Sequence, residues 1–318
     1  MKMKKLAPML ALTLCALAFS GCTGDQRVSF HSYWQQNSLV KEPVRETLVY
    51  NVAFEADAGL DAIGYGLSYS NGQYKTVLVS EEADGKTVYT YTTEFSITAT
   101  YTLNGESESF TDSIVSVSKF YDAENALKPI SSQKQIVSHS PTSGDAKSDV
   151  SACYQAFEYS TSTVYDADGK GGVGTVVQKD KSPVENRFEI DEKNYRYLDN
   201  EELLFAIRGL SSSVSSAKLI SYSPFANAVQ TVGLTFSAEE SASFTFLKNG
   251  AESTQTITYR PVTMVLNEKN PGATQTLWVA KTTDAANNAH RNVILKLQTP
   301  LAYSLGSLIY TLSSATYE

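Results

Sequence analysis

The sequence predicts an all-β, mainly antiparallel protein, and three observations carry that prediction. Apolar and polar residues alternate with a period of two over long stretches, the signature of half-buried strands. Asn-Gly pairs punctuate those stretches where hairpins need positive φ. The composition is rich in tyrosine (19 residues), and charged residues make up only 19%, a balance that suits strands better than helices.

The chain opens on a different kind of segment. Lys2, Lys4 and Lys5 precede an apolar run from Leu6 to Phe19, and Ser20-Gly21 then supply small residues before Cys22. This three-part order reads as a secretory signal over residues 1–21. The run of about 14 residues is too short for an ordinary spanning helix, which needs roughly 20. "FSGC" resembles a bacterial lipobox, with Phe19 where leucine is commoner. That resemblance implies cleavage after Gly21 and lipidation of Cys22, so that acyl chains on Cys22 make the membrane a partner. Cys15 leaves with the signal. Ordinary secretion with cleavage nearby is the alternative.

Removing the three lysines takes the formal charge from −8 to −11. An acidic chain with no basic cluster argues against nucleic acid as a partner. Cys153 is then the one thiol left, which rules out an internal disulfide and a cysteine-based zinc site; it reads as a small buried apolar side chain.

Thr23 to Glu46 is polar and weakly patterned and reads as a tether (22–46 with the lipidated cysteine), although Phe30 and Trp34 have the size to pack. The β domain is expected over 47–318. Its clearest strand is "YTYTTEFSITATYTL", in which Tyr89, Tyr91, Phe95, Ile97, Ala99, Tyr101 and Leu103 alternate with polar residues. At roughly 3.3 Å per residue such a strand is near 50 Å long. Asn104-Gly105 follows as a type I′ turn, so residues whose numbers sum to 209 face each other: Ala99 with Phe110, Phe95 with Ile114, Tyr89 with Phe120. Asp112 opposite Ile97 breaks the apolar face and predicts a bulge or a solvent opening. Asn71-Gly72 and Asn249-Gly250 predict two more hairpins. Further strands are expected at Leu48–Phe54, Tyr65–Tyr69, Tyr74–Val79, Ser151–Tyr165, Arg187–Ile190, Lys218–Tyr222, Val262–Leu266, Thr276–Ala280, Val293–Gln298 and Leu308–Leu312. "LDNEELLFAIRGL" interrupts this pattern with a short helix near 199–208. Asp199 is its expected N-cap, Glu201 and Glu202 lie in the first turn and Gly209 is the stop. Being mostly apolar, it has to be buried against the sheet.

Chemical motifs are sparse. "GKGGVG" (Gly169 to Gly174) looks like a phosphate loop, but Thr175-Val176 follows where a Lys-Ser or Lys-Thr is needed, so a hairpin loop is the reading. "DADGKGG" places Asp166 and Asp168 at the first and third positions of a calcium loop, yet Lys170 and Val177 occupy the fifth and twelfth. His31, His139 and His290 are scattered over expected loops without metal-ligand spacing. No Gly-x-Ser-x-Gly elbow occurs, and nothing singles out a carboxylate pair among 34 acids. The residues therefore predict no metal, no cofactor and no enzyme.

From Tyr195 onward, the order "YLDNEELLFAIRGL", an NG hairpin, "TLWVAK", "RNVILKLQTPL" and "SLIYTLSSATY" resembles an uncharacterised family of bacterial secreted proteins related to lipoprotein-carrier half-barrels. Asp199, Leu204, Arg208, Trp278, Val293, Leu295 and Leu312 carry the match; earlier in the chain only long strands and Leu127-Lys128-Pro129 agree. The resemblance implies one strongly curved antiparallel sheet wrapped around a short helix, no catalytic residues, and an apolar ligand such as a lipid in the concave face. The leading expectation is accordingly a membrane-anchored envelope lipoprotein with a non-catalytic binding role. A surface adhesion or carbohydrate-binding protein of two β-sandwich domains, split near 140–150, is the alternative. A cell-wall glycan hydrolase is the third.

Overall fold

A computed structural model describes residues 28–30, 43–123, 126–142, 147–210, 213–266, 274–281 and 292–318. The expected signal segment, Cys22, Trp34, His31 and His290 lie outside them.

The described residues are all-β apart from one short helix and three single 3₁₀ turns, and their strands join into one sheet. Its first part is a meander: β1 (Arg45–Ala56), β2 (Gly66–Ala83), β3 (Lys86–Leu103), β4 (Glu106–Ala123), β5 (Ala126–Pro141), β6 (Tyr154–Tyr165), β7 (Gly171–Gln178) and β8 (Val184–Glu189) each pair with the next, antiparallel. A short β9 (Arg196–Tyr197) leads into helix α1 (Leu203–Ile207). Then come β10 (Ser216–Ser223), β11 (Ala228–Phe236), β12 (Glu240–Lys248), β13 (Ala251–Leu266), β14 (Thr274–Ala280), β15 (Ile294–Pro300) and β16 (Gly306–Tyr317). β16 returns along the free edge of β1, from Glu46–Tyr317 to Ala56–Gly306.

The register deduced from Asn104-Gly105 holds along the whole β3–β4 hairpin, from Val88–Tyr121 to Leu103–Glu106. No bulge forms at Asp112. Its carboxylate instead accepts hydrogen bonds from the His139 backbone N–H (2.8 Å) and interacts with Nδ1 of the same residue (2.9 Å). His139 therefore sits at the end of β5, not in a loop. Asn249-Gly250 makes its hairpin, joining Lys248 to Ala251. Asp84-Gly85, with φ of 51° and 71°, makes another that the strand pattern does not single out.

Asn71-Gly72 is not a hairpin. β2 runs straight through it as an 18-residue strand, both flanks pairing with β3, and the two residues form a bulge between the Ser70–Thr98 and Gln73–Ser96 pairs. Asn71 takes φ 53°, which asparagine tolerates better than most side chains. A Cβ on Gly72 would lie 2.4 Å from the Val52 carbonyl oxygen, so only glycine fits beside β1. Because one extra residue flips the face that follows, Tyr69 (opposite Ala99) and Tyr74 (opposite Phe95) both point inward.

The sheet does not stop at a half-barrel. β12 also lies parallel to β16 over Leu247–Ser314 and Lys248–Ala315, closing a five-stranded ring of β12, β13, β14, β15 and β16. The NG turn is the clasp: Asn249 N–H donates to the Ala315 carbonyl (2.9 Å), and its side-chain oxygen accepts from Tyr317 N–H (2.9 Å). Across the 140–150 stretch, where two domains would part, β5 and β6 pair directly, ending at Pro141–Tyr154. Residues 150–153 there form a 3₁₀ turn ahead of β6, so the strand expected from Ser151 starts at Tyr154. Cys153 in that turn is free and buried.

Five residues cannot hold a helix in water alone; α1 exists because it is surrounded. Phe205 is fully buried, with ring centroids 5.4 Å from Tyr91, 5.2 Å from Phe120 and 6.5 Å from Tyr89. The N-cap is Glu202, without a side-chain cap bond, and not Asp199. Asp199 acts one turn earlier: its carboxylate accepts from Glu201 N–H (2.8 Å), while its own N–H donates to the Glu202 carboxylate (2.9 Å). Phe30, bridged to Leu210 and buried, belongs to this core.

Candidate functional site

The inward faces of β2 to β5 look across at α1 and β13 to β16, and two adjoining cavities lie between them. The upper one, of about 250 Å³, is walled by Tyr74, Tyr91, Phe95 and Ile114 on one side and by Leu203, Leu204, Met264, Leu266, Leu297 and Tyr310 on the other. The lower one, of about 600 Å³, has Tyr69, Phe95, Ile97, Ile114, Leu301 and Leu308 along its apolar wall, with Asp112 and His139 in it. Phe95 and Ile114 border both. Small-molecule sites span about 300–1,000 Å³ and are mostly apolar with few polar groups, and the lower cavity falls in that range.

Strand periodicity builds this lining. Odd-numbered residues of β3 and even-numbered residues of β4 share the inner face through their pairing, and the β2 bulge adds Tyr69 to the lower cavity and Tyr74 to the upper one. Tyr74 packs edge-on against Tyr310 (5.5 Å) and tilted against Tyr50 (5.7 Å), which fixes its ring. Burial raises the phenols: Tyr91 is pushed up to about 12, and Tyr74 and Tyr310 well above the usual tyrosine value. These hydroxyls stay neutral at any physiological pH. Lys134 and Glu201, 3.1 Å apart, place a polar pair on the upper cavity's wall.

The lower cavity has a different rim. Tyr303 is 57% exposed and Phe157 38% exposed, large rings left facing solvent beside the opening. Tyr303 and Ser304 take φ of 60° and 54°, consecutive left-handed residues that are not glycine, a conformation held only where surroundings impose it. Here Leu301 N–H bonds to the Gly306 carbonyl (2.8 Å), and the Ser304 and Tyr303 carbonyls press on Gly59, where a Cβ would come within 2.3 Å of one of them. The Asp112–His139 contact resembles the Asp–His part of a hydrolytic triad, but the neighbouring hydroxyls are engaged otherwise. Ser138 Oγ bonds Ser140 Oγ (3.3 Å), and Thr142 Oγ1 donates to the Ala152 carbonyl (2.7 Å). Among the described residues no group of three His, Cys, Asp or Glu side chains is placed to hold a metal ion.

Of the residues carrying the half-barrel resemblance, Leu204 lines the upper cavity, while Val293, Leu295 and Leu312 are core. Trp278 is half-buried with the Lys296 ammonium 4.9 Å above its ring. Asp199 and Arg208 flank α1 and support it from either end. Asp112 stands out in sequence as a misfit on an apolar face; its partner His139 and the rim residues Phe157 and Tyr303 carry no such signal. The Asp166–Lys170 stretch is a turn: Asp168 accepts from Lys170 N–H (3.0 Å), Asp166 pairs with Arg187 (2.6 Å), and the glycines that follow lie in β7.

No protein-family model, curated protein or solved structure matches this chain.

Proposed function

We propose that the protein is a membrane-anchored, extracytoplasmic lipoprotein that binds, without catalysis, a lipid or other apolar molecule in the hollow of its sheet. The observation that carries this reading is the pair of adjoining cavities between β2–β5 and the α1–β16 wall, lined mostly by apolar and tyrosine side chains. Their neutral phenols and aliphatic walls suit an apolar body, since burying such surface gains roughly 25 cal/mol per Å². The order of Lys2 to Cys22 supports export and lipidation.

Two measurements test it. The full-length chain carrying Cys22→Ser, purified and mixed with fatty acids, alcohols and phospholipids, is expected to show mass-shifted adducts by native mass spectrometry. A ligand-free mass under every mixture defeats the binding reading. Radiolabelled palmitate fed to expressing bacteria is expected in the wild-type chain and absent from the Cys22→Ser variant; equal label in both defeats the anchor.

A further inference from the structure

We infer that the lower cavity selects an amphiphile whose polar end is an alkylammonium cation, an inference that rests on the apolar-binding reading above and names its ligand class. Asp112 is the one carboxylate among the described residues that line this cavity, and it is buried. Both interactions with His139 fall on Oδ1, so Oδ2 is the acceptor left for a ligand among the described residues. Among the described residues no lysine or arginine lines the cavity, and its one basic side chain, His139, is engaged on Asp112 Oδ1 at 2.9 Å. A carboxylate or phosphate entering it would meet a like charge in a poorly solvated place, which is costly. An ammonium group would meet its opposite.

The rings complete the match. Tyr69 and Phe95 line the wall, and Phe157 and Tyr303 stand at the rim with their large exposed surfaces. Aromatic faces around a carboxylate attract cations through the ring quadrupole, most strongly for alkylated ammonium groups that water solvates poorly. Tyr303 stands at the rim on a left-handed backbone whose carbonyl lies against Gly59, with its ring open to a ligand. Ile97, Ile114 and Leu308 supply the surface for the aliphatic part. The formal charge of −8 over the whole chain favours the same sign of ligand at long range.

The test compares three ten-carbon probes below their micellar concentrations: decyltrimethylammonium, decanoate and 1-decanol, titrated calorimetrically into the full-length Cys22→Ser chain. The cation is expected to bind at least about tenfold more tightly than decanoate, with 1-decanol between them. Adding Asp112→Asn is expected to remove that preference. Because Asp112 is buried and bonded, Tyr303→Leu serves as a second variant on an exposed side chain. It is expected to weaken the cation several-fold and leave 1-decanol unchanged. Equal binding of all three probes, or tighter binding of decanoate, overturns the charge selection while leaving the apolar-binding reading intact. No binding of any probe overturns both.

Discussion

The two ends of α1 are equally buried and electrostatically opposite. After the helix, Arg208 donates to both carboxylate oxygens of Glu46 on β1, at 2.5 and 2.9 Å, and its Nε donates to the Asn292 carbonyl (3.0 Å). Burial alone would lower the guanidinium's pKa, but the facing Glu46 carboxylate outweighs it and raises the pKa. Before the helix, Asp199 and Glu202 are buried side by side. Asp199 accepts from Ser132 (2.7 Å) and Tyr165 (2.5 Å), while Glu202 Oε2 has no hydrogen-bond partner among the described residues. Burial first, and Glu201 after it, push Asp199 up to about 6; burial and the adjacent Asp199 raise Glu202 well above the usual carboxylate range. One end is a completed ion pair, the other two acids that favour keeping their protons. A single short helix thus shows that burial fixes no charge state by itself; the partner within bonding distance does.

The largest effect is expected at the paired end. Arg208→Met strands Glu46 in the core, and removing one member of a buried pair costs about 3–5 kcal/mol. Urea unfolding at pH 7 measures it, and a loss under about 1 kcal/mol would mean that the pair contributes little. Replacing both members, as Glu46→Leu with Arg208→Met, is expected to recover about half of that loss or more, because no uncompensated charge remains. A double variant as unstable as the single one would point to packing instead.

The acidic end predicts a pH dependence of opposite sign to ordinary acid denaturation. Both pKa values are raised on folding, so between pH 4 and the folded-state values the native protein holds more protons than the unfolded chain. The stability these carboxyls contribute is complete below about pH 4 and is lost as the pH rises through about 6 for Asp199, and further for Glu202. The Asp199 share is about 3 kcal/mol at about 1.4 kcal/mol per pKa unit. Glu202→Gln imitates the protonated acid and is expected to add on the order of 1–3 kcal/mol at pH 8, with no gain at pH 4. Thermal melts of both proteins from pH 4 to 9 check this; parallel profiles would sink it. The groups facing this end are Tyr165 and Tyr197, hydrogen-bonded at 2.9 Å, and the Lys128–Glu192 and Lys134–Glu201 pairs. The smallest effect is expected there: Lys134→Ala breaks a partly exposed pair and should change stability by less than about 1 kcal/mol.

Local rules carried the meander well. The β3–β4 register follows from one turn and the two-residue period, and the buried helix from its apolar run between Asp199 and Gly209. Asn71-Gly72 shows where such rules stop. The same dipeptide that turns the chain at 104–105 and 249–250 makes a bulge at 71–72, since β3 pairs with both flanks of β2, β1 pairs with the flank from Gly72 onward, and Val52 presses on Gly72. That bulge sets which tyrosines enter the cavities, so the site was less legible than the sheet around it. Asp112 was visible as a misfit, whereas His139, 27 residues further on, carries no local mark of its role.

Alternation, turn propensity and apolar content are properties of neighbouring residues, so the sequence alone determined an antiparallel all-β protein with one buried helical turn. Three things were left to the tertiary structure: the closure of the ring at Asn249, the meeting of Glu46 with Arg208 across 162 residues, and the depth of the cavities. Each depends on how twist and bulges accumulate across many strands, a sum that no local window contains.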